Sequence, residues 1–390
     1  MSSNLRVNNI FPSVGTNVAI GTAGGSVTLT GGVTATTLNA TSLVGVTTAG
    51  ITTVYTNSIN NGQLGGSRNM VTNGAMVVNQ RGFTGAAGTT SNNGFPVDRF
   101  IIGVANDGAV SAGQTTMNST VGGNAYANGF SNATILRVTT ADATLGSSQY
   151  QLIYQPIEGS SLQGIKKGTA NAQPVTLSFW CRSTTTGTYI AELYDAYDNT
   201  RHVSQAYTIN AANTWEKKVL VFPADTIGAF DNDANISLAI IWWLAAGSDF
   251  TSGTLNTSWA TIAESNRAVG QVNLMATAGN DFFLTGVQLE VGDRATEFER
   301  KFYTNELQLC QRYYEVGGPY ETSWTASSAY GAATVVYATQ KRASPNVTIT
   351  ITAGQTGTLL LTHQYGFTYQ ARGLVVGDYS RFTFTSSAEF

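Results

Sequence analysis

Between residues 133 and 291 apolar and polar positions alternate in short runs separated by turn-forming residues. The runs are ATILRVTT (133–140), VTLSFWCRS (175–183), GTYIAELYDA (187–196), EKKVLVFPA (216–224), ISLAIIWWLAA (236–246), QVNLMATA (271–278) and DFFLTGVQLEV (281–291). A period of two puts alternate side chains on opposite faces of a strand. In VTLSFWCRS, Val175, Leu177, Phe179 and Cys181 share one face, while Thr176, Ser178 and Trp180 share the other. Trp180 is therefore expected to point outward or into a second layer. Trp242 and Trp243 point to opposite sides of their strand, and core burial of both is the favoured reading over a sugar platform. Regular strands with β-branched residues and turn punctuation predict a β-sandwich or jelly roll across 67–295.

The period changes after residue 295. Thr296 and Glu299 have capping-box spacing. Tyr303, Leu307, Cys310 and Tyr314 fall at i, i+4, i+7 and i+11, predicting an amphipathic helix over 297–315 that stops before GGP at 317–319. Strand patterns then return in TVVYATQK, NVTITIT, TLLLTHQY, GFTYQARG and RFTFTSS, giving a small β tip over 317–390. The apolar Phe390 at its end is expected to be docked. Residues 1–66 are different: nearly uncharged Thr/Gly segments place Val33, Leu38 and Leu43, then Val46 and Ile51, then Val54 and Ile59, five positions apart. One thin apolar stripe cannot offset the backbone entropy of ordering, about 1–2 kcal/mol per residue. Three copies wound about one axis can bury it, so this part reads as a fibrous β shaft, with a flexible Gly/Thr linker as the alternative. The expected architecture is all-β: shaft at 1–66, sandwich at 67–295, connecting helix at 296–316 and tip at 317–390, assembled as a homotrimer.

Composition narrows the class. Charged residues are 11% and net charge is −3, with no basic run beyond Lys166-Lys167 or Lys217-Lys218. Nucleic-acid binding needs clustered cations, so that partner is excluded. Cys181 and Cys310 lie in different kinds of segment and read as buried free thiols. The opening MSSNLRVNNIFPSVG has no charged segment leading into an apolar one, and no run reaches membrane-spanning length. An extracellular-looking composition without an export signal suits a virion protein made in a host cytoplasm and released by lysis.

Enzyme signals are weak. His202 and His363 sit in no metal or nucleophile motif and read as surface or turn histidines. GSSLQGIK (159–166) lacks the Lys of a phosphate loop, and DNDAN (231–235) is followed by Ile236 and Trp242 where a calcium loop needs Gly and Glu. Nothing calls for a metal or cofactor. Glu192 and Asp195 point to opposite faces of one strand, unlike a glycosidase pair, and AELYDAYDNTRH (191–202) reads first as a solvated turn. It also gathers Tyr194, Asp195, Tyr197, Asp198 and Arg201, a mixture of flat aromatic faces and hydroxyl-binding groups that suits a sugar.

NMVTNGAMVVNQRG (69–82), PVDRF (96–100), VTLSFWCRS, TWEKK (214–218), LTGVQLEVGDRATEFERK (284–301) and LCQRYYE (309–315) occur in that order. Together they resemble the recurrent body of phage tail fibres and related virion receptor-binding proteins, especially of cyanophages, built on a carbohydrate-binding-module-like jelly roll. The resemblance implies a homotrimer fixed to other virion tail proteins by its N-terminus, with distal domains meeting bacterial surface glycans. It adds the tip aromatics Trp324, Tyr330, Tyr365, Tyr369 and Tyr379 as glycan-binding candidates, and implies binding without cleavage. Some relatives hold a structural calcium near the first and last strands. Asp281 stands at the last strand here, while the early strand offers only Asn73. The alternatives are a depolymerase tailspike on the same scaffold and a capsid-anchored fibre or decoration protein.

Overall fold

The computed structural model describes residues 67–84, 92–195, 197, 200–323, 330–372 and 378–390. The shaft repeats, Asp198 and Trp324 lie outside them. Among the described residues no helix is long and apolar enough to cross a membrane.

Two antiparallel sheets form the sandwich. One holds six strands in the order β1 (Ile101–Ala105), β4 (Tyr150–Glu158), β9 (Ile236–Ala246), β6 (Gly187–Asp195), β7 (Arg201–Ile209) and β10 (Ala260–Thr261). The other holds five: β2 (Ala109–Thr116), β3 (Asn132–Thr140), β11 (Asp281–Val291), β5 (Val175–Ser183) and β8 (Glu216–Phe222). Neighbours in each sheet are mostly distant in sequence, as jelly-roll connections require. QVNLMATA, expected as a strand, instead contains a 3-10 turn at Leu274–Ala276, where Asn273 accepts from the Met275 N–H. An Asn side chain competing for the backbone favours a turn over a sheet ladder.

Period-two alternation fills the space between the sheets. Phe179 of β5, Trp242 of β9 and Phe222 of β8 are fully buried there, and the Phe179 ring meets Trp242 edge-on at 5.8 Å. Each such side chain contributes about 1.5–3 kcal/mol by leaving water. Cys181 and Cys310 are both buried free thiols, as expected. The segment preceding the sandwich is stapled by asparagine. Asn69 donates to Val287 O and accepts from Leu289 N–H, while Asn73 donates to the carbonyls of Val78 and Asp98. Asn73 thus serves the backbone, and Asp281 is held at 2.7 and 2.6 Å by Arg137.

The joint after β11 differs from expectation. Thr296 forms no helix cap: its N–H and hydroxyl both donate to Glu290. Glu299 does not reach back to it but accepts from Asn69 N–H. The helix runs only over Tyr303–Gln311, burying Glu306 and Cys310. Tyr303 is mostly exposed, and Tyr314 already belongs to β12 (Tyr314–Ser323), where pairing with Ser387 replaces helical contacts.

Glu306 seats the helix by accepting from Asn73 N–H at 2.5 Å. Burial pushes its carboxyl above the usual range, offset only in part by that hydrogen bond. A raised folded-state pKa favours the protonated form, so this contribution to stability is present below the unfolded value, about 4.3, and is lost as pH rises through the folded value. Glu306→Gln keeps the acceptor and removes the charge. Thermal unfolding at pH 7 should show the variant no less stable than wild type, with any advantage vanishing near pH 4.

The tip is a second, smaller sandwich. One sheet orders β12, β17 (Tyr379–Ser387) and β14 (Asn346–Gly354), and the other β13 (Tyr330–Val336), β16 (Gly366–Arg372) and β15 (Gly357–His363). Phe367, Phe382, Phe384 and Tyr369 form its core. The tip is fastened to the large sandwich by cations stacked on rings. Arg99 is buried, donates to Pro156 O, pairs with Glu389 and lies 3.4 Å from the Tyr313 ring centroid. Phe390 is docked as expected, packing on Tyr313 and under Arg342.

Candidate functional site

The outward face of the six-stranded sheet carries even-numbered residues of β4 and β6 and odd-numbered residues of β9. Segment 247–271 folds across part of that face and covers β7, because Phe250 packs on Trp243 and Ser204 donates to Arg267 O. Beside this cover lies an open cleft of ≈ 330 Å³, within the size range of small-ligand sites, about 300–1,000 Å³. Tyr150, Tyr154, Tyr194, Tyr197, Trp243 and Arg267 contribute most of its aromatic and charged lining.

Its floor rests on a buried charge. Glu192 accepts four hydrogen bonds: His202 Nδ1 and Arg267 Nε at Oε1, and Trp243 Nε1 and Arg267 Nη2 at Oε2, all at 2.9–3.1 Å. Asn256 donates to His202 Nε2, which leaves the ring proton on Nδ1 facing Glu192. Burial alone raises the Glu192 pKa, but the charge of Arg267 and the hydrogen bonds from His202 and Arg267 hold the carboxyl below its usual range. Arg267 also bonds Glu264 and lies 4.1 Å from the Tyr194 ring centroid. The tyrosine ring is thereby fixed from behind.

The rim is polar. Tyr154 donates to Asn93 Oδ1 at 3.1 Å. Burial, then the neighbouring Tyr197 and Tyr150, push the Tyr154 hydroxyl up to about 12, and burial raises Tyr194 and Tyr197 as well. All three therefore present neutral O–H groups at physiological pH, each able to donate and accept. Flat rings with neutral hydroxyls suit a ligand with alternating C–H faces and hydroxyls.

Of the residues singled out from the sequence, Tyr194 and Tyr197 line this cleft. Asp195 and Arg201 do not. Asp195 is fully buried on the inward face and takes Lys167 Nζ at 2.6 Å, while Arg201 grips Asp225 through two bonds and Lys167 approaches Asp225 at 3.3 Å. The expected solvated turn is thus partly a buried ion network. His202, expected at the surface, is fully buried; His363 is exposed at the end of β15. Glu192 and Asp195 do face opposite sides of β6. Trp242 fills the inner core and Trp243 lies buried under the cleft. Trp180 faces outward into a small aromatic cluster with Phe130, Trp215 and Phe298.

The tip tyrosines do not converge. Tyr369 is 1% exposed, its hydroxyl against Ser380, because its position on β16 faces the tip core. Tyr330 and Tyr379 begin their strands at one end of the tip, and Tyr365 lies in the β15–β16 turn at the other. Sequence reasoning missed Tyr150, Tyr154, Phe250 and Arg267. Arg267 had one signal, the Glu264 three residues before it in a chain with little charge.

No family model and no curated protein matches this chain. Solved structures do. The enzymatically active domain of tailspike protein 4 from bacteriophage CBA120 is 16% identical with a TM-score of 0.29, the match covering 57% of this chain and 21% of the tailspike chain. The module TmCBM61, solved with β-1,4-galactotriose, is 14% identical with a TM-score of 0.27, covering 58% of this chain and 99% of that one. A family 11 carbohydrate-binding module from Clostridium thermocellum, solved with a mixed-linked tetrasaccharide, is 10% identical with a TM-score of 0.25, covering 53% and 96%. At these scores the matches carry no argument about what this chain binds.

Proposed function

We propose that this chain is a phage tail fibre that attaches to the particle through its N-terminal residues and binds a bacterial surface glycan without cleaving it. The cleft carries the reading. Its rings lie on a face made rigid by the Glu192–Arg267–His202 network, and rigid rings bind without losing conformational freedom. The Thr/Gly repeats support a trimeric shaft, and three linked weak sites gain avidity through effective concentration.

Two measurements on the full chain test this. Incubation with host surface polysaccharide should give saturable binding and no rise in reducing ends; release of reducing ends would identify a depolymerase. Sedimentation equilibrium at micromolar concentration should give three times the 41.1 kDa chain mass. A monomer would overturn the trimeric fibre.

A further inference from the structure

On the opposite side of the sandwich, β11 breaks its pairing with β5 between Thr285 and Gln288. The break falls at Gly286, which has φ +60°, and a Cβ there would stand 2.7 Å from Phe130 Cζ and 3.0 Å from Trp180 Cδ1. Only glycine lets those two rings pack so closely on β11. Glycines at strand bulges mark places where another group comes close. Beside these rings lies a pocket of ≈ 120 Å³ whose lining includes Trp180, Ser178, Lys217, Gly286, Glu297 and Arg300, room for the substituted edge of one sugar ring.

Its chemistry is specific. Arg300 is anchored, donating to Gly129 O and Asn128 O and lying 4.7 Å from the Phe130 ring centroid. Those carbonyls orient the guanidinium but leave its charge uncancelled. Lys217 is exposed and paired through its backbone opposite Trp180, but its side chain makes no hydrogen bond or ion pair with the described residues, and neither cation forms an ion pair with a described carboxylate. With Glu297 as the one acid, the pocket is net positive beside a half-buried indole and a hydroxyl. We infer that it is a second, one-ring subsite for a carboxylate-bearing sugar: the ring against Trp180, its carboxylate toward Lys217 and Arg300, and its hydroxyls on Glu297 and Ser178. The glycan cleft is on the other sheet, so this inference does not depend on it.

The test uses the full chain labelled with 5-fluorotryptophan at its six tryptophans, the Trp180 resonance being assigned by Trp180→Phe. Methyl β-glucuronide should shift the Trp180 resonance and leave that of Trp243 in place. Methyl β-glucoside should bind at least about tenfold more weakly. Lys217→Glu, at an exposed position, should weaken the glucuronide by about tenfold or more, the effect of turning one attraction into a repulsion. A Trp180 resonance that stays still, equal response to the two sugars, or no effect of Lys217→Glu would each overturn the subsite. Loss of cleft binding would leave these outcomes unchanged.

Discussion

Glu192→Gln lowers the stability of the sandwich by about 3–5 kcal/mol at pH 7, the usual cost of removing one partner from a buried ion pair. Four donors converge on Glu192. A carboxamide has the same shape but offers one acceptor oxygen, so its nitrogen must oppose a donor. Arg267, 8% exposed, keeps only Glu264 to balance its charge. The pH dependence separates this from simple loss of packing. Because the Glu192 carboxyl is held below its usual range, its contribution is present above the unfolded value, about 4.3, and is lost as pH falls through the folded value. Urea unfolding should therefore show a large gap between wild type and variant at pH 7 that closes in strong acid. Equal stability at pH 7 would contradict the network. The contrast with Glu306 is direct: two buried carboxylates with opposite shifts give opposite responses to the same amide substitution.

Arg99→Ala uncouples the tip from the sandwich. The guanidinium is 1% exposed, meets a carbonyl of β4, pairs with Glu389 and covers Tyr313. Its removal leaves Glu389 with Arg81 at 3.2 Å and opens a cavity over the Tyr313 ring, for a combined cost of about 3–5 kcal/mol. Because the loss falls at the junction, calorimetry should show one transition in wild type and two in the variant, the tip melting first. A single transition at the wild-type temperature would show that the clamp contributes nothing.

Much of the sandwich was legible because its inner strands alternate without ambiguity. β5 and β9 place apolar residues on the buried face at nearly every second position, and β11 does so on either side of its bulge. β1, β2, β4, β7 and β10 were not seen. YQLIYQPIE carries a proline and two glutamines, and RHVSQAYTI looks polar, since Gln155 and His202 turn toward hydrogen-bond partners that only the folded chain supplies. The helix was over-extended for a similar reason. Tyr314 fits the helical spacing, but β17 lies beside it and strand pairing wins. Capping spacing at Thr296 failed because Glu290, six residues earlier, captured both of its donors.

The site was half legible. Tyr194 and Tyr197 were visible as aromatics in a polar turn, and the even-odd rule already separated Tyr194 from Asp195. What placed Arg267 beside Trp243 under the cleft was the path of segment 247–271 across the sheet, and no local pattern encodes such a crossing. The low charge content carried a usable hint. In a chain this poor in ions the few buried charges must pair, and Asp195, Arg201, Glu192 and Arg267 all do so.

Calorimetric titration of host surface polysaccharide into wild type and into the Tyr154→Ala, Tyr194→Ala double variant tests the central claim most directly. Both rings line the cleft and neither lies in the inner core, so the variant should stay folded. Loss of two anchoring aromatics, at about 2 kcal/mol for a hot-spot residue, should weaken binding by at least roughly thirtyfold. Unchanged affinity in a folded double variant would place the glycan elsewhere and contradict the account.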